Sequence, residues 1–324
     1  MEMDKKTPAD RLNYIGDLDP VVKRLSSIYQ IGDLIDFSVI GVGYEDCNVI
    51  VNSSEGKFVA KIFSKVRTPQ DINRYTTIME KAVEAGVNHP SLIKTKDDSV
   101  VCTDTLSNGI SMVLMEFIDG KSFLELERIP NKVELQRVLE QAAKINGINF
   151  QPPYLFDSWA IPNIKTMFDK VKEFIKPEDI TLVEQAMVRY DEIPVDELPH
   201  CFVHGDFTKA NILKGDDDKI YILDFSVANW YPRIQELAVI AANLLHDVSS
   251  PMSFRERCEM VADEYSRFST LTSDERTHLY AYALAGVTME FMGAHQEKYI
   301  NGNDTKETDY WLKLGGEGLR RELK

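Results

Sequence analysis

The sequence predicts an α+β chain, with an N-terminal antiparallel sheet lobe followed by a mainly helical C-terminal lobe. Three observations carry this. Between Leu34 and Phe117 the apolar residues fall in short runs separated by turn residues, the pattern of hairpin strands. After Gly120 they recur at helical spacing. One stretch inside the helical half breaks that spacing: Cys201 to Ala228, CFVHGDFTKANILKGDDDKIYILDFSVA, holds two apolar runs that each lead into polar residues.

The elements follow in order. Residues 1–16 are polar and read as a loose leader. DLDPVVKRLSSIYQ reads as a helix capped by Asp19, with Pro20 in its first turn and Val21, Val22, Leu25 and Ile28 on its apolar face. Ile31-Gly32 stops it. Strands are expected at Leu34 to Ile40, Cys47 to Asn52 and Lys57 to Phe63. Between the first two lies Gly41-Val42-Gly43-Tyr44-Glu45-Asp46. Paired glycines let a backbone approach a phosphate and turn N–H groups toward it; they also make an ordinary hairpin.

Pro69 to Ala85 reads as a helix ended by Gly86. Val100 to Asp104 and Ser111 to Phe117 read as the last strands of the sheet, the latter running into the turn Ile118-Asp119-Gly120. Helices are expected at Lys132 to Ile145, Asn163 to Ile175, Glu178 to Tyr190, Arg233 to His246, Phe254 to Phe268 and Asp274 to Tyr299. The tail after Ile300 reads as a polar loop with a short terminal helix.

Composition narrows the function classes. The chain has 324 residues, enough for about two lobes. Its 44% apolar and 27% charged residues are ordinary for a globular protein. A net charge of −15 argues against nucleic acid and anionic membrane as partners, since both attract basic surfaces. The four cysteines, Cys47, Cys102, Cys201 and Cys258, lie far apart with no CxxC pair, which argues against zinc and suits a reducing, cytoplasmic setting. MEMDKKTPADR carries no apolar signal core, and the apolar run near Leu237 to Leu245 is too short to span a bilayer.

The chemistry concentrates in Cys201 to Ala228. The first apolar run leads into His204-Gly205-Asp206, Asn211 follows five residues after Asp206, and the second run (Ile220 to Leu223) delivers Asp224-Phe225. Two carboxylates and an amide near strand ends suit phosphoryl transfer from a magnesium nucleotide. Asp206 can accept a hydroxyl proton, while Asn211 and Asp224 offer the oxygens that Mg²⁺ prefers. Acidic turns of a plain hairpin are the alternative.

HGDxxxxN followed by an apolar strand and Asp-Phe resembles the aminoglycoside phosphotransferase and choline kinase superfamily. The resemblance implies a two-lobed, protein-kinase-like fold and phosphorylation of small molecules. Gly205 stands where protein kinases carry Arg, and Ser226 replaces the glycine of their Asp-Phe-Gly, which sets the chain apart from protein kinases. The layout is similar to the homoserine kinase type, in Gly43, Glu45 and Asn48, in DFSVAN, and in a following helix with Glu236-Leu237-Ala238. That type often has His-Ala-Asp where this chain has His204-Gly205-Asp206. It tends to lack a lysine where this chain has Lys61.

The resemblance implies ATP and Mg²⁺ as cofactors and a small-molecule hydroxyl substrate: homoserine or an amino alcohol, a sugar, or an aminoglycoside-type acceptor. ATP would lie between lobes at 17–116 and 117–324. Gly41, Gly43 and Lys61, the last in a Val-Ala-Lys strand, would hold its phosphates. Backbone groups of Glu116 and Ile118 would meet adenine, Asn211 and Asp224 would hold the metal, and Asp206 would be the catalytic residue. His204 is expected to brace the loop by hydrogen bonds. Protein kinases pair this lysine with a helix Glu; here the matching region is Arg74-Tyr75-Thr76, and Glu80 and Glu84, further along, are either candidates for the pair or solvated helix charges. An atypical protein kinase and a catalytically silent nucleotide-binding module are the alternatives. The short stretch from Phe225 to Pro232 counts against the first, and the full set Lys61, Asp206, Asn211 and Asp224 against the second.

Overall fold

The computed structural model describes residues 12–14, 16–41, 43–104, 109–247 and 249–323. The chain divides into two compact units. One runs to Val83 and takes in His89–Asp119; the other comprises Glu84–Asn88 and the chain from Gly120 onward.

The first unit is built on an antiparallel sheet. Its strands are β1 (Leu34–Val39), β2 (Cys47–Ser53), β3 (Gly56–Ile62), β4 (Leu92–Ile93), β5 (Val101–Asp104) and β6 (Ile110–Glu116). They lie in the order β1-β2-β3-β6-β4, with β5 also paired to β6. Side chains alternate across such a sheet, so each face needs its own cover. One face buries Val49, Val51, Ala60, Ile62, Met112 and Leu114 against helix α1 (Leu18–Tyr29). Val21, Val22 and Leu25 of α1 are fully buried, each contributing about 1.5–3 kcal/mol. The other face packs Val113 and Met115 against Ile72, Tyr75 and Met79 of helix α2 (Pro69–Glu84).

Three local readings change. The cap of α1 is Asp17, whose carboxylate accepts the Asp19 N–H at 3.0 Å, so Asp19 lies inside the first turn as a helix-dipole partner. Leu12, in the segment read as a loose leader, is fully buried, and its carbonyl accepts the Lys65 N–H at 3.0 Å. β4, at two residues, is too short to leave a period in the sequence.

The second unit is mainly helical. Strands β7 (Gly120–Ser122), β9 (Ile212–Gly215) and β10 (Ile220–Ile222) form a small antiparallel sheet, and β8 (His200–Val203) pairs with β11 (Asn229–Pro232). The helices are α3 (Lys132–Asn146), α4 (Ile164–Val171), α5 (Pro177–Asp191), α6 (Ile234–Val239), α7 (Phe254–Tyr265), α8 (Ser273–His295) and α9 (Lys306–Leu323). α6 runs on as a π-helical segment at Ile240–Leu244. α8 is buried almost all round, as a central helix with neighbours on every side must be.

The tail is more than a short terminal helix. α9 is 18 residues long and packs along α8. A Cβ on Gly315 would sit 2.6 Å from the backbone nitrogen of Phe291, so glycine is what allows this close approach. Arg320 then anchors the helix, donating from Nε and Nη2 to the buried carboxylate of Asp179 at 3.1 and 2.8 Å. Among the described residues no helix is long and apolar enough to cross a membrane.

Candidate active site

In the second unit, β8 ends at Val203 and the chain enters a loop held from beneath. His204 is fully buried. Its Nδ1 accepts the Asp206 N–H at 3.1 Å, so the ring proton sits on Nε2, which donates to the Leu223 carbonyl at 2.9 Å. Burial pushes the imidazole pKa down to about 4, so the ring is neutral near pH 7 and braces the loop. Its edges meet the rings of Phe207 and Phe225 at 5.3 and 4.5 Å.

Gly205 has a φ of +85°, a left-handed turn that a side chain would strain. This turn lets the N–H groups of His204 and Gly205 both reach the carboxylate of Glu236, the latter at 3.1 Å. Glu236 is fully buried on α6, and burial lifts its pKa to about 8 against those two donors.

The loop presents Asp206. Burial first, and the charge of Asp224 second, raise its pKa to about 6. Asn211 donates from Nδ2 to Asp206 Oδ2 at 2.5 Å and to its carbonyl at 3.2 Å. β10 returns alongside, and the Leu223 N–H donates to the Asn211 carbonyl at 2.8 Å. Asp224 follows with a φ of +60°, its Oδ1 accepting the Ser226 N–H at 3.2 Å. Asp206, Asn211 and Asp224 therefore gather at one place.

With its amide nitrogen on Asp206, Asn211 has its oxygen Oδ1 to offer a hard cation, as Asp224 has its carboxylate. Burial chiefly, and the neighbouring charge of Asp224 after it, disfavour the ionised form of Asp206, and a divalent cation beside the two carboxylates would favour it. Among the described residues no three His, Cys, Asp or Glu side chains form a ready-made metal cluster. A cation here would thus draw further oxygens from outside the chain, as Mg²⁺ does from phosphates.

In the first unit, Gly41 and Gly43 lie between β1 and β2; Val42 is outside the described residues. Lys61 lies on β3 and is 3% exposed. On the helix after this strand the sequence offers Glu80 and Glu84, either as partners of Lys61 or as solvated helix charges. Lys61 instead pairs at 3.7 Å with Asp46, just before β2, and its ammonium stands 4.6 Å from the ring centre of Tyr75 on α2. Glu116 closes β6. Its N–H donates to the Ser91 carbonyl at 3.0 Å, so a base contact from Glu116 falls to its carbonyl. Ile118 sits in the connection after it, half-buried.

Sequence reasoning missed Asp46 and Glu236 as site residues. Asp46 stands three residues after Gly43 and was legible there as a carboxylate near a phosphate loop. Glu236 stands in the Glu236-Leu237-Ala238 stretch that carries the resemblance, but its role was not legible, because its partners lie 31 and 32 residues back along the chain.

The model of the Phosphotransferase enzyme family matches residues 36–268. A homoserine kinase of Rhodopseudomonas palustris (strain HaA2) is 24% identical over 202 residues, 61% of this chain and 60% of that protein. A homoserine kinase of Zymomonas mobilis subsp. mobilis is 19% identical over 276 residues, 83% of each. The chain thus spans about 60% of the length of the first of these relatives. Among solved structures, a spectinomycin phosphotransferase in complex with ADP and spectinomycin is similar at a TM-score of 0.70 and 13% identity, over 93% of this chain and 97% of that one. A choline kinase from Streptococcus pneumoniae is similar at 0.66 and 13%, over 94% and 99%. At such identities these structures speak for the fold.

Proposed function

The chain belongs to the Phosphotransferase enzyme family, and on that premise we propose that it moves the γ-phosphoryl group of Mg²⁺-ATP onto the hydroxyl of a small molecule. The observation that carries this reading is Asp206: a carboxylate oriented by Asn211 at 2.5 Å, with a pKa near 6 that suits a base at neutral pH. The acceptor oxygen forms a bond to the γ-phosphorus as the bond to the β-phosphate bridge breaks. Asp206 takes the hydroxyl proton, and ADP leaves. Asn211 and Asp224 would hold Mg²⁺, which when bound draws charge from the phosphate oxygens. His204 and Glu236 keep the loop fixed. In the first unit, Lys61 and the backbone of Gly41 and Gly43 would hold phosphates, and the Glu116 carbonyl with the Ile118 N–H would read the adenine edge. Because the transition state is loose, positioning and charge do most of the work.

Within this class the reading favours a hydroxy amino acid or amino alcohol over a sugar or an aminoglycoside. The support is the likeness to homoserine kinases at 24% and 19% identity. Only Phe225 to Ala228 separate Asp224 from β11, which argues against a peptide-binding segment there. The test is ADP release from Mg²⁺-ATP across homoserine, amino alcohols, sugars and aminoglycosides, with Asp206→Asn as control. One acceptor should raise turnover well above ATP hydrolysis, and the variant should abolish the gain. Nucleotide binding without turnover on any acceptor would overturn the reading in favour of a silent binding module.

A further inference from the structure

Lys209 lies between Asp206 and Asn211 in the catalytic loop, and three of its groups are taken by other parts of the second unit. Its N–H donates to Asn243 Oδ1 at 3.1 Å. Its carbonyl accepts the Leu124 N–H at 3.0 Å, and its ammonium donates to the His246 carbonyl at 2.7 Å. Two of these partners, Asn243 and His246, stand at the end of the π-helical segment that follows α6. Carbonyls at the end of a helix lack a donor of their own, and a cation suits them.

Asn243 is 1% exposed, and it is the one polar side chain in Leu237 to Leu245, LAVIAANLL. A buried amide is costly unless its two ends are bonded. Here both are: Oδ1 takes the Lys209 N–H, and Nδ2 donates to Oε1 of Glu290 on α8 at 3.0 Å. The two neighbours decide which end faces which. A backbone N–H only donates, so it takes the amide oxygen; an ionised carboxylate only accepts, so it takes the nitrogen. The second oxygen of Glu290, Oε2, is buried and has no partner among the described residues, so the carboxylate meets the network through Oε1.

We propose that Asn243 and Glu290 are positioning residues for phosphoryl transfer: Glu290 orients the Asn243 amide, and the amide pins the loop at Lys209, between Asp206 and Asn211. The proposal rests on the kinase reading above and deepens it. Both side chains act through the loop. An amide turned end over end would set its nitrogen against the Lys209 N–H and release the segment that carries both groups. A small misplacement there is felt in the chemical step, because the reaction depends on alignment.

The test reverses the polarity of the bond. Asn243→Asp keeps an oxygen for Lys209 but sets a carboxylate against Glu290. Adding Glu290→Gln to that chain lets the new amide donate where the carboxylate accepted. Glu290→Gln alone keeps an acceptor for Nδ2 and should cost less than Asn243→Asp. Two readouts apply: exchange of the Lys209 amide by heteronuclear NMR, and steady-state kinetics with Mg²⁺-ATP and the best acceptor. The amide should be protected in the unsubstituted chain, which needs no variant to fold. Asn243→Asp should speed its exchange about tenfold or more and lower kcat by a similar factor, with KM for Mg²⁺-ATP moving less than about threefold. The double variant should recover most of both losses, a coupling that independent sites do not show. An unprotected Lys209 amide, full kcat in a folded Asn243→Asp chain, or a double variant no better than that chain would each overturn the proposal. The exchange arm needs no turnover. The expected exchange pattern without ADP release on any acceptor would sink the kinase reading and leave the hold on the loop standing; turnover with no change in exchange would do the opposite.

Discussion

Lys61 Nζ lies 3.7 Å from Oδ2 of Asp46, with the two side chains 3% and 5% exposed. The register explains the meeting. Asn48 lies opposite Lys61 across β2 and β3, and Asp46, two residues before Asn48, points to the same face on the diagonal. Asp46 also accepts the Ser64 N–H at 3.0 Å and the Arg67 Nε–H at 3.2 Å. The carboxylate that fixes this lysine thus comes from the end of the glycine loop, and α2 supplies the Tyr75 ring.

Asp46→Asn keeps an oxygen for the Ser64 N–H and removes the charge. If Lys61 holds phosphates, its aim should suffer more than the chemistry. KM for Mg²⁺-ATP is expected to rise about tenfold while kcat falls less, since a charged hydrogen bond is worth roughly 1.5–3 kcal/mol. Steady-state kinetics at varied ATP would check it. An unchanged KM in a folded variant would remove Asp46 from the site.

Asp206→Asn leaves the shape of the loop and takes away the proton acceptor. Turnover is expected to drop roughly 10²- to 10⁴-fold with Mg²⁺-ATP affinity nearly unchanged. Nucleotide titration beside ADP-release rates separates the two effects. Full turnover in this variant would show that Asp206 is not the base.

The same residue sets the acid side of the pH profile. Asp206 works ionised, and burial with the charge of Asp224 puts its pKa at about 6 in the free chain. A cation on Asn211 and Asp224 favours the ionised form and moves that value down. The acid limb of kcat at saturating Mg²⁺-ATP and acceptor is therefore expected at or below pH 6. A limb near pH 8 would instead point to Glu236, whose buried carboxyl titrates at about 8.

Much of this was legible because it is local. Short apolar runs between turns match β1, β2, β3, β5 and β6, and apolar residues at helical spacing match α1 to α5, α7 and α8 to within a few residues; the helix expected at Arg233 to His246 is α-helical only over Ile234–Val239 and π-helical over Ile240–Leu244. Asp206, Asn211 and Asp224 stood out because strand, loop and returning strand keep them within one short stretch. What stayed hidden depends on the third dimension. The Lys61 partner is a cross-strand diagonal, and Glu236 reaches back past β11, β10 and β9 to the loop after β8. The tail reads as a polar loop with a short terminal helix, whereas α9 is 18 residues long and carries Gly315, Gly316 and Gly318 against α8. They are contact points, and a breaker's usual cost is offset where a neighbouring helix fills the space.

α9 offers its own test. Arg320→Ala would leave the carboxylate of Asp179 buried without its two donors. The N-terminal end of α5 softens that loss, since Asp179 lies in its first turn. A destabilisation of about 1–3 kcal/mol is expected, a few degrees in thermal midpoint. Arg320→Lys should recover only part of it, because an ammonium does not make the forked contact. Equal midpoints for all three chains would mean that the Gly315 contact alone docks the helix.

The brace beneath Asp206 should show in stability against pH. His204 has a pKa of about 4 when folded, against 6.5 for the free side chain. Because the folded value is the lower one, the unfolded chain binds the proton first as pH falls. The contribution is therefore fully present above pH 6.5 and is lost as pH drops from there toward 4. Its size is on the order of 3 kcal/mol, at about 1.4 kcal/mol per pH unit. His204→Gln removes the titrating group and keeps a polar side chain near the Leu223 carbonyl. The variant should be less stable at pH 7 and lose less on acidification, so that the two chains converge near pH 4. His246, whose pKa burial also lowers to about 4, remains in both and accounts for slope they share. Denaturant unfolding at pH 7, 5.5 and 4 would decide it; parallel losses in the two proteins would show that the ring already exchanges its proton with solvent in the folded loop.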